Sequence, residues 1–495
     1  MTALETAFSE VSPRLSPRPT PLASTLISTA IVGFWIALFS EIFFASGGLA
    51  WSVGIAYLAY DTSLSLFVAY QSLVLWRGEP VTPGTPGRRP SVGVIVAAHN
   101  EAPVLAATID ALLRQRDPPD QIWLADDGST DGSASVLAAR YALASPELDT
   151  LGDPSSIAPT LRWLRLSHRG KALALNAALA YVDTDVVLTV DADTLLDLEA
   201  VAVIRGAFTE DPDLVVGGGV LSPRCAGGAL ARVLQEFQTY EYIRNFLARR
   251  AWSQLDCLLL ISGAFAAFRT RAVVSVGGFD PECLTEDYEL IHRLHRYSVE
   301  HDLKWRVRIL GHALARTDAP AAILPFLRQR RRWFAGFLQT QYWNRDMTGN
   351  SRFGPLGLAM MPVKAIDTLQ PFYGLASVVL LIGFFATGRF AALLPASGLV
   401  LAKIAFEWLN AVSSVEVYRR WTGDRHRSSL ARALLCVLLE PFGFQILRLL
   451  GAAWGWIALL SGSVTWGRSS RGADVVRDDR HSGGPTTDAL GSKVR

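Results

Sequence analysis

Cysteine is scarce: Cys225, Cys257, Cys283 and Cys436 are the four in 495 residues, and no two stand at CxxC spacing. That excludes a disulfide framework and a thiolate zinc site, and it leaves reduced, structural thiols consistent with a cytosolic domain. Charge is thin as well, with 19% Asp, Glu, Lys and Arg against 50% hydrophobic residues and a formal net charge of +2. No basic cluster with interleaved aromatics marks a nucleic-acid partner, and no Walker A loop marks an ATPase. His292 and His295 have no third nitrogen or sulfur ligand at zinc spacing, so they read as a surface pair. What the chain has instead is apolar length. It is too apolar for an ordinary soluble enzyme and too polar for a pure transporter, which fits a water-soluble domain fused to membrane helices.

Residues 1–21, rich in Pro, Ser and Thr, read as a disordered N-terminal tail. Leu22 to about Ala45 and Leu49 to Trp76 are each long enough to span a bilayer, which takes about 20 residues, and together predict a transmembrane hairpin over 22–77. The second run following at once argues against a cleaved signal peptide. Asp61, inside the second run, is expected to face protein or water. Arg77, Arg88 and Arg89 flank a Pro/Gly linker, residues 78–90, and place it with the N-terminus in the cytoplasm. Beyond the soluble domain, residues 351–370, apolar but carrying Lys364 and Asp367, predict an interfacial amphipathic helix. Residues 371–465 predict a C-terminal membrane region, with spans at Pro371–Ala386 and Phe390 to about Val412. The stretch Leu430–Leu460, broken by Glu440-Pro441 and Arg448, reads either as a tight hairpin or as an interfacial helix followed by one span. Residues 466–495 read as a disordered cytoplasmic tail, which favours an even number of crossings.

Residues 91–350 alternate strand and helix, the rhythm of a doubly wound parallel sheet whose loops gather at the carboxyl edge of the strands. Val92–Ala97 is a strand, followed by a helix opening at His99-Asn100-Glu101. Gln121–Ala125 is a second strand, ending in Asp126-Asp127-Gly128-Ser129-Thr130-Asp131. The run Asp185 to Val190 ends in Asp191-Ala192-Asp193, two carboxylates one residue apart at the edge where ligands bind. Acidic turns and helix caps account for such residues equally well when each is taken alone. Arg169-Gly170-Lys171 opens a helix and suits phosphate, or is simply a solvated basic helix end. Thr285-Glu286-Asp287 is ordinary capping or a general base at a pocket mouth. Gln329-Arg330-Arg331-Arg332-Trp333 is a basic membrane-surface helix, a lid over a diphosphate, or both. Ser145–Thr160 reads as a surface insertion.

The ordered set Asp-Asp-Gly-Ser-Thr-Asp, Asp-Ala-Asp, Thr-Glu-Asp and Gln-Arg-Arg-Arg-Trp, framed by membrane spans, resembles the membrane-integrated processive family 2 glycosyltransferases: cellulose, chitin, hyaluronan and poly-N-acetylglucosamine synthases. The resemblance covers about residues 22–465. Nothing in the sequence matches the longer insertions and regulatory β-domain of the large cellulose synthases, and the compact arrangement looks closer to the poly-N-acetylglucosamine and hyaluronan branch. It implies an α/β GT-A (Rossmann-like) cytosolic domain between α-helical transmembrane segments, binding a UDP-sugar and inverting the anomeric carbon. Asp126 or Asp127 would contact uridine, Lys171 the diphosphate region, and Asp191 and Asp193 the nucleotide-sugar and its Mg²⁺ or Mn²⁺. Asp287 would be the general base, Gln329 and Arg332 would hold the donor, and Trp333 with Glu286 would meet the acceptor. The implied partners are a UDP-sugar, a growing glycan or lipid-linked acceptor, and membrane lipids. The implied location is the plasma membrane, multi-pass, with the catalytic domain cytoplasmic. Single-sugar transfer to a lipid carrier, as in dolichol-phosphate-sugar synthase relatives, and a non-catalytic transporter or scaffold are the alternatives.

Overall fold

The computed structural model describes residues 3–44, 46–77, 88–424 and 428–462. Most of the expected linker, the cationic residues Arg425 to Arg427 and the expected tail at 466–495 lie outside the described residues. The segment expected to be disordered at the N-terminus is instead ordered. Helix α1 (Ala3–Val11) buries Phe8 against Gly277, whose φ is +82° and where any Cβ would sit 2.3 Å from the Phe8 nitrogen. Arg14 then pairs with buried Asp280 through two bonds of 3.0 and 2.9 Å. The proline-rich composition hid one apolar anchor and one cation with a buried partner, enough to dock a short helix.

Helices α2 (Leu22–Phe44) and α3 (Ser52–Ser72) follow as two apolar rods. The sheet begins at β1 (Val92–Ala98) and β2 (Gln121–Asp127), then β3 (Thr150–Leu151), β4 (Leu161–Leu166), β5 (Val186–Asp191) and β6 (Thr194–Leu196). It is completed by β7 (Leu214–Arg224), β8 (Phe265–Arg269) and β9 (Arg306–Asp318). Strand order is β3-β4-β2-β1-β5-β8-β7-β9-β6. The central strands β4, β2, β1 and β5 are parallel, as the sequence rhythm implies. The rest corrects that expectation, because β8 runs antiparallel to both β5 and β7, and β6 antiparallel to β9, so the sheet is mixed. The expected insertion at 145–160 also contributes β3, antiparallel to β4.

Register decides the site. Ala98 of β1 pairs with Asp126 of β2 on one side, and Ala97 pairs with Asp191 of β5 on the other. Both acidic strand ends therefore open on one edge, flanking the loop after β1.

Between the strands stand α4 (Ala102–Leu113), α5 (Ser133–Tyr141), α6 (Lys171–Leu179) and α7 (Ala200–Glu210). The later helices are α8 (Ala229–Ser253), α9 (Thr270–Ser275), α10 (Glu286–Glu300) and α11 (Ile323–Trp343). His292 and His295 of α10 are both buried, against the expectation of a surface pair. Their ring nitrogens bond to the carbonyls of Tyr288 and Leu258, and burial pushes His292 down to about 3, so it is a neutral core histidine.

The chain then re-enters the apolar layer through α12 (Met361–Ala386), α13 (Phe390–Thr422), α14 (Leu430–Leu439) and α15 (Phe444–Leu460). Among the described residues, the stretch expected as an interfacial helix at 351–370 is divided between short turns and the start of α12. A π turn at Leu356–Met360 runs straight into α12 and through Pro371, because Lys364 and Asp367 neutralise each other at 2.8 Å and Tyr60 caps Asp367 at 2.6 Å. Asp61 meets Lys403 of α13 at 2.7 Å, so this acid in the apolar layer is paired. Among the described residues four helices are long and apolar enough to cross a membrane, and α14 with α15, bent by 55°, makes a fifth candidate if the pair counts as one. A 55° turn is far from the reversal that a hairpin needs.

Candidate active site

A cavity of about 1390 Å³ lies at the carboxyl ends of β1, β2 and β5, walled by α8 and α10 and, on the side of the apolar helices, by α11, α12 and α15. It exceeds the roughly 300 to 1,000 Å³ typical of one small ligand, leaving room for two. Asp127, Lys171, Asp191, Asp193, Glu286, Asp287, Gln329, Arg332 and Trp333 all line it. Four far-apart motifs thus converge on one space.

Asp126 is the exception. Its carboxylate turns inward, accepting from the Trp163 indole at 3.2 Å and the Ser129 amide at 2.9 Å, so it shapes the loop and does not line the cavity. Asp127 is the member of the pair that does. It accepts from the amides of Arg169 at 2.8 Å and Gly170 at 3.0 Å and from His168 Nδ1 at 2.8 Å. The amides that the sequence offered to phosphate at the start of α6 are therefore already satisfied by Asp127. His99 and His168 stack 4.1 Å apart over this corner. Asp127 and the two histidines offer ligand atoms within 4.8 Å of one another. Parallel stacked rings point their lone pairs side by side, however, and Asp127 is fully bonded, so the corner suits a flat ring better than an ion.

Lys171 sits at the centre, 2.5 Å from Asp191 and 3.5 Å from Glu286. Burial opposes its charge, but Asp191 and Glu286 outweigh that and hold it above the ordinary lysine value. Asp193 has the opposite problem. Burial, with Asp191 and Asp318 beside it, pushes its carboxyl up to about 7. A buried acid cluster short of positive charge fits a hard divalent cation, with Asp193 and Asp191 as the oxygen ligands and Asp318, the end of β9, at hand. Burial likewise raises Glu286 against the pull of Lys171.

Asp287, in the first turn of α10, accepts from the Gly263 amide at 2.7 Å and its carboxylate faces the cavity. Asp287 also accepts from the Tyr288 amide at 2.8 Å, the capping contact that the sequence suggests for this turn.

Helix α11 is set by charge and by glycine. Arg330 makes two bonds of 2.8 and 2.7 Å to buried Glu241 of α8, and its guanidinium lies 4.7 Å from the centre of the Trp333 ring. Gly451 and Gly455 let α15 approach so closely that a Cβ at either would meet Arg330 or the α11 backbone at 2.6 to 2.9 Å. Arg332 donates to the Leu284 carbonyl at 3.1 Å, and the buried Gln329 Oε1 has no protein partner among the described residues. The sequence reading missed Glu241, Tyr242, Asn245 and Arg249 of α8, and Asp318. Asp318 carried the same signal as Asp193, an acid ending a strand, while α8 signalled only through charges in an aromatic-rich helix.

Residues 93–274 match the family model described as glycosyl transferase family 2, and residues 186–402 match that for glycosyl transferase family group 2. The chain is 27% identical over 262 residues to the poly-beta-1,6-N-acetyl-D-glucosamine synthase of Staphylococcus epidermidis, covering 52% of this chain and 58% of that one. The Staphylococcus aureus synthase of the same name is 27% identical over 243 residues, 49% of this chain and 53% of that one. The chain thus spans just over half the length of the curated relatives it matches. In fold it is similar to the mannosyltransferase PcManGT of Pyrobaculum calidifontis, solved with GDP-Man and Mn²⁺, with TM-score 0.52 and 21% identity over 80% of this chain and 99% of that one. The two overlapping matches thus liken residues 93–402 to glycosyl transferases of family 2, on a mixed sheet of the GT-A kind whose carboxyl edge is lined with acids and which is joined to apolar helices.

Proposed function

We propose that the chain is an inverting membrane glycosyltransferase that takes a hexosyl group from a UDP-sugar, with Mg²⁺ or Mn²⁺, and extends a β-linked extracellular polysaccharide. The observation that carries this reading is the shared cavity of Asp193, Asp287 and Trp333 against the apolar helices. Asp127 and the stacked histidines receive the uracil ring. A divalent cation bound by Asp191 and Asp193 would offset the charge growing on the leaving diphosphate. Arg332 and Lys171 supply fixed positive charge to the same oxygens, so no acid is needed to release the nucleotide. Asp287 accepts the proton of the attacking hydroxyl; its Oδ2 is aimed by the Gly263 amide. Attack from the face opposite the diphosphate is one in-line displacement and inverts the centre. Trp333, held by Arg330, is the platform for the acceptor ring. The catalytic domain faces the cytoplasm of a multi-pass plasma-membrane protein, so the product leaves through the helical layer.

The test is UDP release by purified full-length chain in nanodiscs with a panel of UDP-sugars, followed by sizing of the product. A ladder of polymers is expected. A single lipid-linked sugar would replace this reading with transfer to a carrier, and no UDP release from any donor would overturn both.

A further inference from the structure

A cation in a buried cavity wall needs an opposite charge close by. Four of the eight lysines and arginines lining this cavity have one: Lys171 has Asp191 and Glu286, Arg330 has Glu241, Arg448 has Glu241 and Glu440, and Lys364 has Asp367. Arg332 donates to a carbonyl, and Arg169 and Arg328 are exposed to solvent. Arg249 of α8 is different. Its Nε is buried and makes no hydrogen bond among the described residues, and its guanidinium rests only on the Phe246 ring, 4.8 Å from the centroid. Burial pulls it down to about 10. Tyr242, Asn245 and Arg249, at i, i+3 and i+7, lie along one face of α8 and all line the cavity.

The charges nearest Arg249 locate it. The carboxylates that act on it are Asp287 and Glu241, whereas Asp193 is governed by burial and by Asp191, Asp318 and Lys171. Arg249 is therefore on the side of the proposed base, not with the acid cluster. Glu241 is already bonded to Arg330 and Arg448, and both oxygens of Asp287 hold backbone amides.

We propose that Arg249, with Asn245 one turn before it, forms a subsite for a single oxyanion, carboxylate or phosphate, carried by the acceptor next to the group presented to Asp287. This rests on reading the cavity as a transferase site. A uronate on a glycan and the phosphate of a lipid carrier share the required chemistry, and the arms of the experiment separate them. Full-length chain in phosphatidylcholine nanodiscs is given an active UDP-sugar and one of three acceptors: a neutral disaccharide, a glucuronate-containing disaccharide or a polyprenyl phosphate. UDP·Mn²⁺ affinity is measured alongside by calorimetry.

One anionic acceptor is expected to show a KM about ten-fold below the neutral one, the size of a charge-assisted bond. R249Q removes that difference and R249K retains part of it, with UDP·Mn²⁺ affinity within about two-fold of the unaltered chain in both. Three outcomes overturn the proposal: a preference that survives R249Q, an equal KM rise for all three acceptors, or weakened UDP·Mn²⁺ binding in R249Q. If the chain turns over no donor, the transferase reading fails on its own. The subsite is then read by calorimetry with glucuronate and inorganic phosphate: binding lost in R249Q supports it, and no binding by the unaltered chain sinks it. R249K serves where R249Q does not fold.

Discussion

Asp193 holds a proton that an exposed aspartate would have lost, its carboxyl lifted from 3.8 to about 7 by burial and by Asp191 and Asp318. Because the folded chain binds this proton more tightly than the unfolded chain, the group's stabilising contribution is full below about pH 4 and drains away as pH rises toward 7. A divalent cation competes with the proton and reverses the loss. Mn²⁺ is therefore expected to raise the unfolding temperature more at about pH 8 than at about pH 5, and Asp193→Asn to flatten that difference; a thermal-shift series with and without Mn²⁺ measures it. Asp193→Ala should weaken metal-dependent donor binding in calorimetry. Asp287 makes a different prediction: Asp287→Asn keeps UDP affinity while turnover falls by roughly 10² to 10⁴-fold, as when a general base is removed. Equal turnover in the two proteins would take Asp287 out of the chemistry.

Helix α11 carries Gln329, Arg332 and Trp333, yet its position is decided by its neighbours. Glu241 of α8 holds Arg330, Arg330 holds the Trp333 ring, and Arg448 of α15 shares Glu241 at 3.2 Å. Removing the carboxylate strands the buried Arg330 guanidinium, while Arg448 keeps Glu440, so Glu241→Ala is expected to cost about 3 kcal/mol of stability and to change the fluorescence of Trp333. Arg330→Met in the same chain should recover part of the loss, because the orphaned charge is then absent; a cycle of thermal unfolding on the two single variants and the double one reads this. The glycines of α15 act at the same scale. Gly451→Leu, where a Cβ already falls 2.6 Å from Arg330 Cβ, is expected to push α15 from α11 and lower both stability and turnover.

For the whole molecule, the N-terminal segment sets which side is which. Phe8, Arg14 and Arg18 all dock on the catalytic domain, through Gly277, Asp280 and Glu300. If α2 and α3 cross the bilayer, they must leave and return on the face that holds the domain. Cysteine labelling in sealed vesicles should find positions 10 and 140 on one side and the α2–α3 turn near Ser46 on the other. Phe8→Ala is expected to cost about 3 kcal/mol of stability, which unfolding of the full chain would register.

Local chemistry carried a long way. The lengths of the apolar runs made the long apolar helices legible, the alternation of strand and helix made the parallel strands legible, and the acids that end β2 and β5 marked the edge on which the cavity opens. What the residues could not say was which acid of a pair turns inward. Asp126 faces Trp163 and Asp127 faces the cavity because successive side chains of a strand alternate and the tertiary packing chooses the face. Nor did spacing reveal that α1 docks, that His292 is buried, or that Arg249 has no salt-bridge partner among the described residues. Each depends on partners tens to hundreds of residues away. Sequence determined which chemistry is present, since that belongs to side chains one at a time; the fold alone decided which charges meet, since pairing is a property of distance in space.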